Sequence, residues 1–231
     1  MSNSSETERA SLSDAVSRWA ATQPAAIALR CGGKTLTWSE LDEAMTHFGA
    51  ALRTRGARVG DRVVLVGENS LEWVVAFLGC QRAHVIVVPM NTRLAQSQVA
   101  VQIAKVDAKF VLHDVDLLAP DLLNSNGVQC IELDGLLRET GDGVVDRGTA
   151  IDEPDTEVPA LISFTSGTTG VPKGAVITSA AISELAHAYA DYFETGPDDS
   201  TLIVVPIFHN TGFADQLAHM VASGATTSLL R

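Results

Sequence analysis

The sequence predicts an α/β fold, with mainly parallel sheets and helices on both faces. Three observations predict it. Short, near-continuous apolar runs recur at Arg62–Gly67 (RVVLVG), Val85–Pro89 (VIVVP) and Lys109–Asp114 (KFVLHD). Strands buried on both faces read this way, without polar alternation. Segments with helical period separate the runs and are long enough for crossovers, which are right-handed in nearly all such folds. The composition is globular, with 46% hydrophobic and 19% charged residues, and 231 residues suffice to bury a sizeable core.

The elements follow in order. Residues Met1–Ala10 read as a disordered tail. In Ser11–Ala21 (SLSDAVSRWAA), Leu12, Ala15, Val16, Trp19 and Ala20 share a helical stripe, with Ser11 as cap and Asp14 completing a variant capping box. Ala26–Trp38 (AIALRCGGKTLTW) reads as a hairpin about Gly32-Gly33. Ser39 and Asp42 are expected to open a helix burying Leu41, Ala44, Met45, Phe48 and Leu52, with Gly56 at its end. Leu71–Ala83 and Ala95–Val106 read as the helices between the buried strands. The stretch 139–159, rich in acids, Gly and Pro, reads as a surface linker. It divides a first α/β subdomain, 11–138, from the start of a second, 160–231. Beyond it the expected order is a strand at Ala160–Phe164, a loop, a strand at Ala175–Thr178, a helix at Ser179–Phe193 and a strand at Thr201–Pro206. The segment Ile207–Phe213 (IFHNTGF), a further helix and a strand at Thr226–Leu230 complete the chain.

Charge and cysteine usage narrow the function. A formal net charge of -12 disfavours nucleic acid or an anionic membrane as partner, since both reward clustered Lys and Arg. Cys31, Cys80 and Cys130 are odd in number and widely spaced, which fits reduced thiols better than a disulfide scaffold or a zinc ribbon. The amino terminus lacks the basic-then-apolar order of a secretory signal, and no apolar run has the roughly 18–20 residues that span a bilayer. A cytoplasmic protein without a transmembrane segment is expected.

The chemistry concentrates in Phe164–Val176 (FTSGTTGVPKGAV). A phosphate-holding loop needs backbone N–H groups that approach an anion closely, and glycines permit that approach. Hydroxyls add donors and a lysine adds a point charge. A Gly/Thr-rich turn with one exposed lysine is the plainest alternative. A P-loop is a second, but it requires GxxxxGK followed by Ser or Thr and a helix. Here Pro172 precedes Lys173, Gly174 follows it, and the next residues read as a strand.

The longer run Ile162–Val176 (ISFTSGTTGVPKGAV) resembles the signature of the adenylate-forming enzymes, and Pro89–Leu94 (PMNTRL) and Pro206–Phe213 (PIFHNTGF) resemble the versions of their acyl-CoA synthetase branch more closely than those of peptide synthetases. The resemblance extends over Leu36–Leu94, with Gly60-Asp61 before a strand, Asn69-Ser70 and Pro89, and over Val204–Phe213 (VVPIFHNTGF). It implies a carboxylate-activating ligase that forms an acyl-adenylate and pyrophosphate from MgATP, then transfers the acyl group to coenzyme A. Thr165, Ser166, Thr168 and Thr169 would donate to the β- and γ-phosphates, Gly167 and Gly170 would let the backbone close in, and Lys173 would offset charge as pyrophosphate leaves. His209 would lie near the substrate carboxylate. His47, His84, His113, His187 and His219 are expected to be structural or exposed. His84 stands where the family usually has Gly, which implies a modified turn. Thr140-Gly141-Asp142 matches the family's ribose motif only in letters, since it precedes the phosphate loop in chain order.

The same resemblance implies an incomplete amino-terminal domain. The adenine-binding segment, the magnesium-associated Thr-Glu motif, the ribose aspartate and the small carboxy-terminal domain with its lysine have no counterpart in these 231 residues. Little or no activity alone and weak or no ATP binding are therefore expected. The alternatives are a non-catalytic interaction or regulatory module, self-associating or paired with a missing carboxy-terminal half. The acyl substrate stays open between fatty and aryl acids.

Overall fold

The computed structural model describes residues 10–119, 127–139, 158–165 and 172–231. Two sheets organise them. One has six strands, in the order β6-β5-β3-β4-β7-β8, and the other four, in the order β2-β1-β10-β9. The strands are β1 (Ile27–Cys31), β2 (Lys34–Thr37), β3 (Arg62–Val66), β4 (Ile86–Pro89), β5 (Phe110–His113), β6 (Gln129–Glu132), β7 (Pro159–Thr165), β8 (Lys173–Thr178), β9 (Ser200–Ile203) and β10 (Thr226–Leu229). Every described pairing is parallel except the hairpins β1–β2 and β7–β8.

Helices cover both faces of the larger sheet, and strand alternation explains how. Val63 and Leu65 of β3 enter one core with α2 (Trp38–Thr54), α3 (Leu71–Arg82) and α5 (Leu133–Glu139). Their neighbours Val64 and Val66 enter a second core with Val99 and Ile103 of α4 (Gln96–Lys105). The smaller sheet joins the first core through Leu29, Ile203 and Leu229. There it meets α1 (Leu12–Thr22), α6 (Ser179–Tyr192) and α8 (His219–Ser223).

Helix starts follow side-chain chemistry. The Ser11 hydroxyl accepts from the Asp14 N–H at 3.2 Å, as expected for α1. Helix α2 begins at Trp38, ahead of the expected Ser39, because Thr37 and Glu40 form a reciprocal capping box. The Thr37 hydroxyl accepts from Glu40 N–H at 3.2 Å, and the Glu40 carboxylate accepts from Thr37 N–H at 2.8 Å. That bond holds the Glu40 carboxyl below its usual range. Gly56, at φ 91°, supplies the left-handed residue after α2. His84, at φ 54°, occupies the turn between α3 and β4, a backbone region that favours glycine.

The helices cross closely at two glycines. A Cβ on Gly79 would lie 2.7 Å from Phe48, and one on Gly49 would lie 2.9 Å from the Gly79 carbonyl. Arg82, at the end of α3, ties three helices together. Its guanidinium donates to Ser13 O at 3.1 Å on α1, to Asp42 Oδ1 at 2.9 Å on α2, and to the Thr46 hydroxyl.

Several expectations need correction. The strand-helix unit β6–α5 went unread, because Gln129–Glu132 is a short edge strand with polar ends. The sheets do not divide the chain at the linker. The early hairpin β1–β2 pairs with β10, and β7–β8 extend the sheet of β3, β4 and β5. The single helix expected beyond Ile207–Phe213 begins earlier and in three pieces: one turn within that segment, α7 (Asn210–Gly212), then a π-helix at Phe213–Ala218, then α8. The tail at residues 1–9, most of the linker and Thr140–Asp142 lie outside the described residues.

Candidate active site

The candidate phosphate loop leaves the carboxyl end of β7 and returns as β8. Thr165 pairs with Lys173 and Phe164 with Gly174 across this antiparallel hairpin. The strand at Lys173–Thr178 stands where a P-loop would begin a helix, so that alternative is excluded. Ser166, Gly167, Thr168, Thr169 and Gly170 lie outside the described residues.

The mouth of the loop is well defined. The Thr165 hydroxyl donates to the Lys173 carbonyl at 3.3 Å and closes the hairpin from within. Thr165 was expected to donate to phosphate; here its donor is engaged locally. Gly174 is closely packed, since a Cβ there would lie 2.8 Å from Ile162 Cγ2 and force that side chain to shift. Lys105, in the last turn of α4, donates to the Pro172 carbonyl at 2.5 Å. Two lysines, Lys105 and the exposed Lys173, therefore flank the loop in a chain of net charge -12.

The second candidate segment follows β9. Ile207 and Phe208 are buried, and His209 is exposed at the start of α7. The imidazole leans on the Phe208 ring, with centroids 4.6 Å apart. The His209 N–H donates to Pro206 O at 3.1 Å, and the His209 carbonyl accepts from Gly212 and Phe213 N–H, each at 3.0 Å. The turn is tight enough to require Gly212, whose added Cβ would sit 2.6 Å from Pro206 O. Phe213 then anchors the segment on Phe77, with ring centroids 4.3 Å apart.

One bond joins the two segments. The Ser163 hydroxyl of β7 donates to Asn210 Oδ1 at 3.2 Å, two residues from Thr165 and one from His209. The sequence reading missed both residues. Their only local signals are a hydroxyl inside the apolar strand PALISFT and an amide beside His209.

Three of the other histidines make local contacts away from the loop. His113 is buried, with Nδ1 3.0 Å from Asp114 O, and His187 Nδ1 lies 2.8 Å from Ser183 O. His219 packs among Tyr189 and Phe193, and burial pushes its pKa down despite nearby Asp215. Burial raises the thiol pKa of Cys31, Cys80 and Cys130, which argues against reactive thiolates. Among the described residues no three or more His, Cys, Asp or Glu converge as a metal site. No described helix is long and apolar enough to cross a membrane.

Known proteins place this geometry. The sequence model of a family described as "AMP-binding enzyme" matches residues 16–231. The chain is 30% identical over 234 residues to indoleacetate–CoA ligase of Aromatoleum aromaticum, covering 94% of this chain and 44% of that protein. It is 33% identical over 183 residues to surfactin synthase subunit 3 of Bacillus subtilis, covering 78% of this chain and 14% of that protein. The crystal structure of VinN superposes with a TM-score of 0.86 at 23% identity, covering 96% of this chain and 57% of VinN, a likeness of fold. The chain thus spans less than half the length of these curated relatives. With the match running from residue 16 to residue 231 of a 231-residue sequence, the chain belongs to the AMP-binding enzyme family.

Proposed function

We propose that this chain is the amino-terminal part of a ligase that activates a carboxylic acid with MgATP and passes the acyl group to coenzyme A. The observation that carries the proposal is the Ser163–Asn210 bond. It links a strand-loop-strand hairpin of phosphate-binding composition to the segment bearing His209. Carboxylate and ATP are both anions, so a site for their reaction must offset repulsion and align the carboxylate oxygen with the α-phosphorus. Lys173 supplies charge at the loop mouth. The loop hydroxyls of Ser166, Thr168 and Thr169 supply donors, and Gly167 and Gly170 admit the phosphates. Thr165 acts by holding the mouth closed. His209 orients the carboxylate. Magnesium would arrive bound to the phosphates of ATP and offset part of their charge. The CoA-ligase branch is favoured by PMNTRL and PIFHNTGF, and both fatty and aryl acids fit the reading.

An interaction role is the second reading, and the sheet edges favour it. Val176 on edge strand β8 is 59% exposed, as is Val204 just after edge strand β9, while Leu202 within β9 is 55% exposed. Strand β9 has neither charge nor proline to discourage pairing with another strand, and β8 has a charge only at its start, Lys173. Either a second copy or a separate carboxy-terminal half would cover them.

Pyrophosphate release with ATP, Mg2+ and a panel of fatty and aryl acids tests the catalytic reading. The chain alone is expected to show no carboxylate-dependent turnover above a Lys173→Ala control. Robust turnover that Lys173→Ala abolishes would make the chain a complete catalyst and overturn the partial-site reading.

A further inference from the structure

Asn69 follows β3 at the carboxyl edge of the larger sheet, is 6% exposed, and makes three side-chain bonds, all into the smaller sheet's end. Its Nδ2 donates to Val205 O at 3.0 Å and to Leu230 O at 2.9 Å. Its Oδ1 accepts from Ile207 N–H at 2.9 Å. Val205 follows β9 and Leu230 follows β10, so one amide group spans the exits of two strands. The Asn69 carbonyl faces the Cys31 thiol at 3.7 Å, at the end of β1.

Two carbonyls and one N–H converge on this point, and they need two donors and one acceptor on a short stem. Only a primary amide offers that set. A carboxylate would face two carbonyl oxygens, and an aliphatic side chain would leave the buried Ile207 N–H and two part-buried carbonyls without this partner. Val205 and Ile207 flank Pro206, whose carbonyl accepts the His209 N–H at 3.1 Å. Asn69 therefore grips both sides of the residue on which the His209 turn is built.

We infer that Asn69 is the positioning residue that sets the His209 segment against the sheet carrying the phosphate-loop hairpin. Asn210, bonded to Ser163, is the outer pin of the segment and Asn69 is the inner one. This deepens the ligase reading and rests on His209 having the role given it there.

The test is nuclear magnetic resonance on the intact chain, reading the six histidine rings and the backbone amides, with His209→Gln assigning one ring. In Asn69→Asp near neutral pH, the His209 ring signal is expected to move or split. Amide exchange at Ile207, His209 and Gly212 is expected to rise at least about tenfold, as loss of a buried hydrogen bond implies. The His47 signal and the β3 amides should stay in place. Acidification protonates the introduced carboxyl, restores one donor and should bring the His209 signal part of the way back to that of wild type at the same pH. Asn69→Ser, with one donor and no charge, should fall between wild type and Asn69→Asp. A merely structural role would lower the melting temperature and leave the folded His209 signal unmoved, and that result overturns the inference. So does an equal disturbance of all the histidines, or failure of both variants to fold at any pH. The readout needs no turnover. A displaced His209 in a chain that never binds ATP would leave the clasp standing and remove only the ligase reading.

Discussion

Replacing Gly212 by alanine is expected to destabilise the chain by about 1–3 kcal/mol and to displace His209, a large effect for one methyl group. The added Cβ would sit 2.6 Å from Pro206 O and 2.8 Å from Ile207 Cα. Both are backbone atoms, so no side chain can rotate away to admit it. Pro206 O also receives the His209 N–H, and relief of the clash must therefore move the histidine. Thermal melting should fall by roughly 3–10 °C for a domain of this size. Gly196→Ala is the matched control, since nothing lies within 4 Å of its added Cβ. It should stay within about 0.5 kcal/mol of wild type. Equal stability of Gly212→Ala and Gly196→Ala would show that the His209 turn is not held as described.

Arg82→Met is expected to cost about 2–3 kcal/mol, read from chemical denaturation with two independent probes. The side chains of Arg82 and Asp42 are 19% and 26% exposed, so the pair is only partly screened by water. Methionine keeps the apolar stem and removes every guanidinium donor. Ser13 O, the Ser17 hydroxyl and the Asp42 carboxylate then lose their charged partner. Asp42→Asn in the same background should recover part of the loss, because it removes the carboxylate left without its cation. A change below about 0.5 kcal/mol would reduce the network to an exposed ion pair.

The sequence was most legible where one local signal sufficed. Val63–Val66, Ile86–Pro89 and Phe110–Leu112 are apolar without interruption, and each forms most or all of a parallel strand of the larger sheet. Ser11 with Asp14 marked a helix start correctly. Thr37 with Glu40 carried an equally good signal, but Trp38 reads as the end of the preceding strand. Partnerships distant in sequence were not legible. Leu29 lies beside Thr227 in the smaller sheet, and no periodicity in either segment encodes that pairing. The π-helix at Phe213–Ala218 likewise reads as ordinary helix from its composition. At the site, the hairpin and its lysine could be read from type and spacing. Ser163, Asn210 and Asn69 could not, because each matters through a partner at least 47 positions away.

In the ligase reading the β7–β8 hairpin grips the phosphates of ATP. The most direct measurement is a titration of the chain with MgATP, followed through its backbone amide resonances. Weak but saturable shifts are expected, centred on residues 165–174 and reaching Asn210 through Ser163, with AMP much less effective and Lys173→Ala abolishing them. Shifts that are absent up to millimolar MgATP, or that lie elsewhere and survive Lys173→Ala, would contradict it.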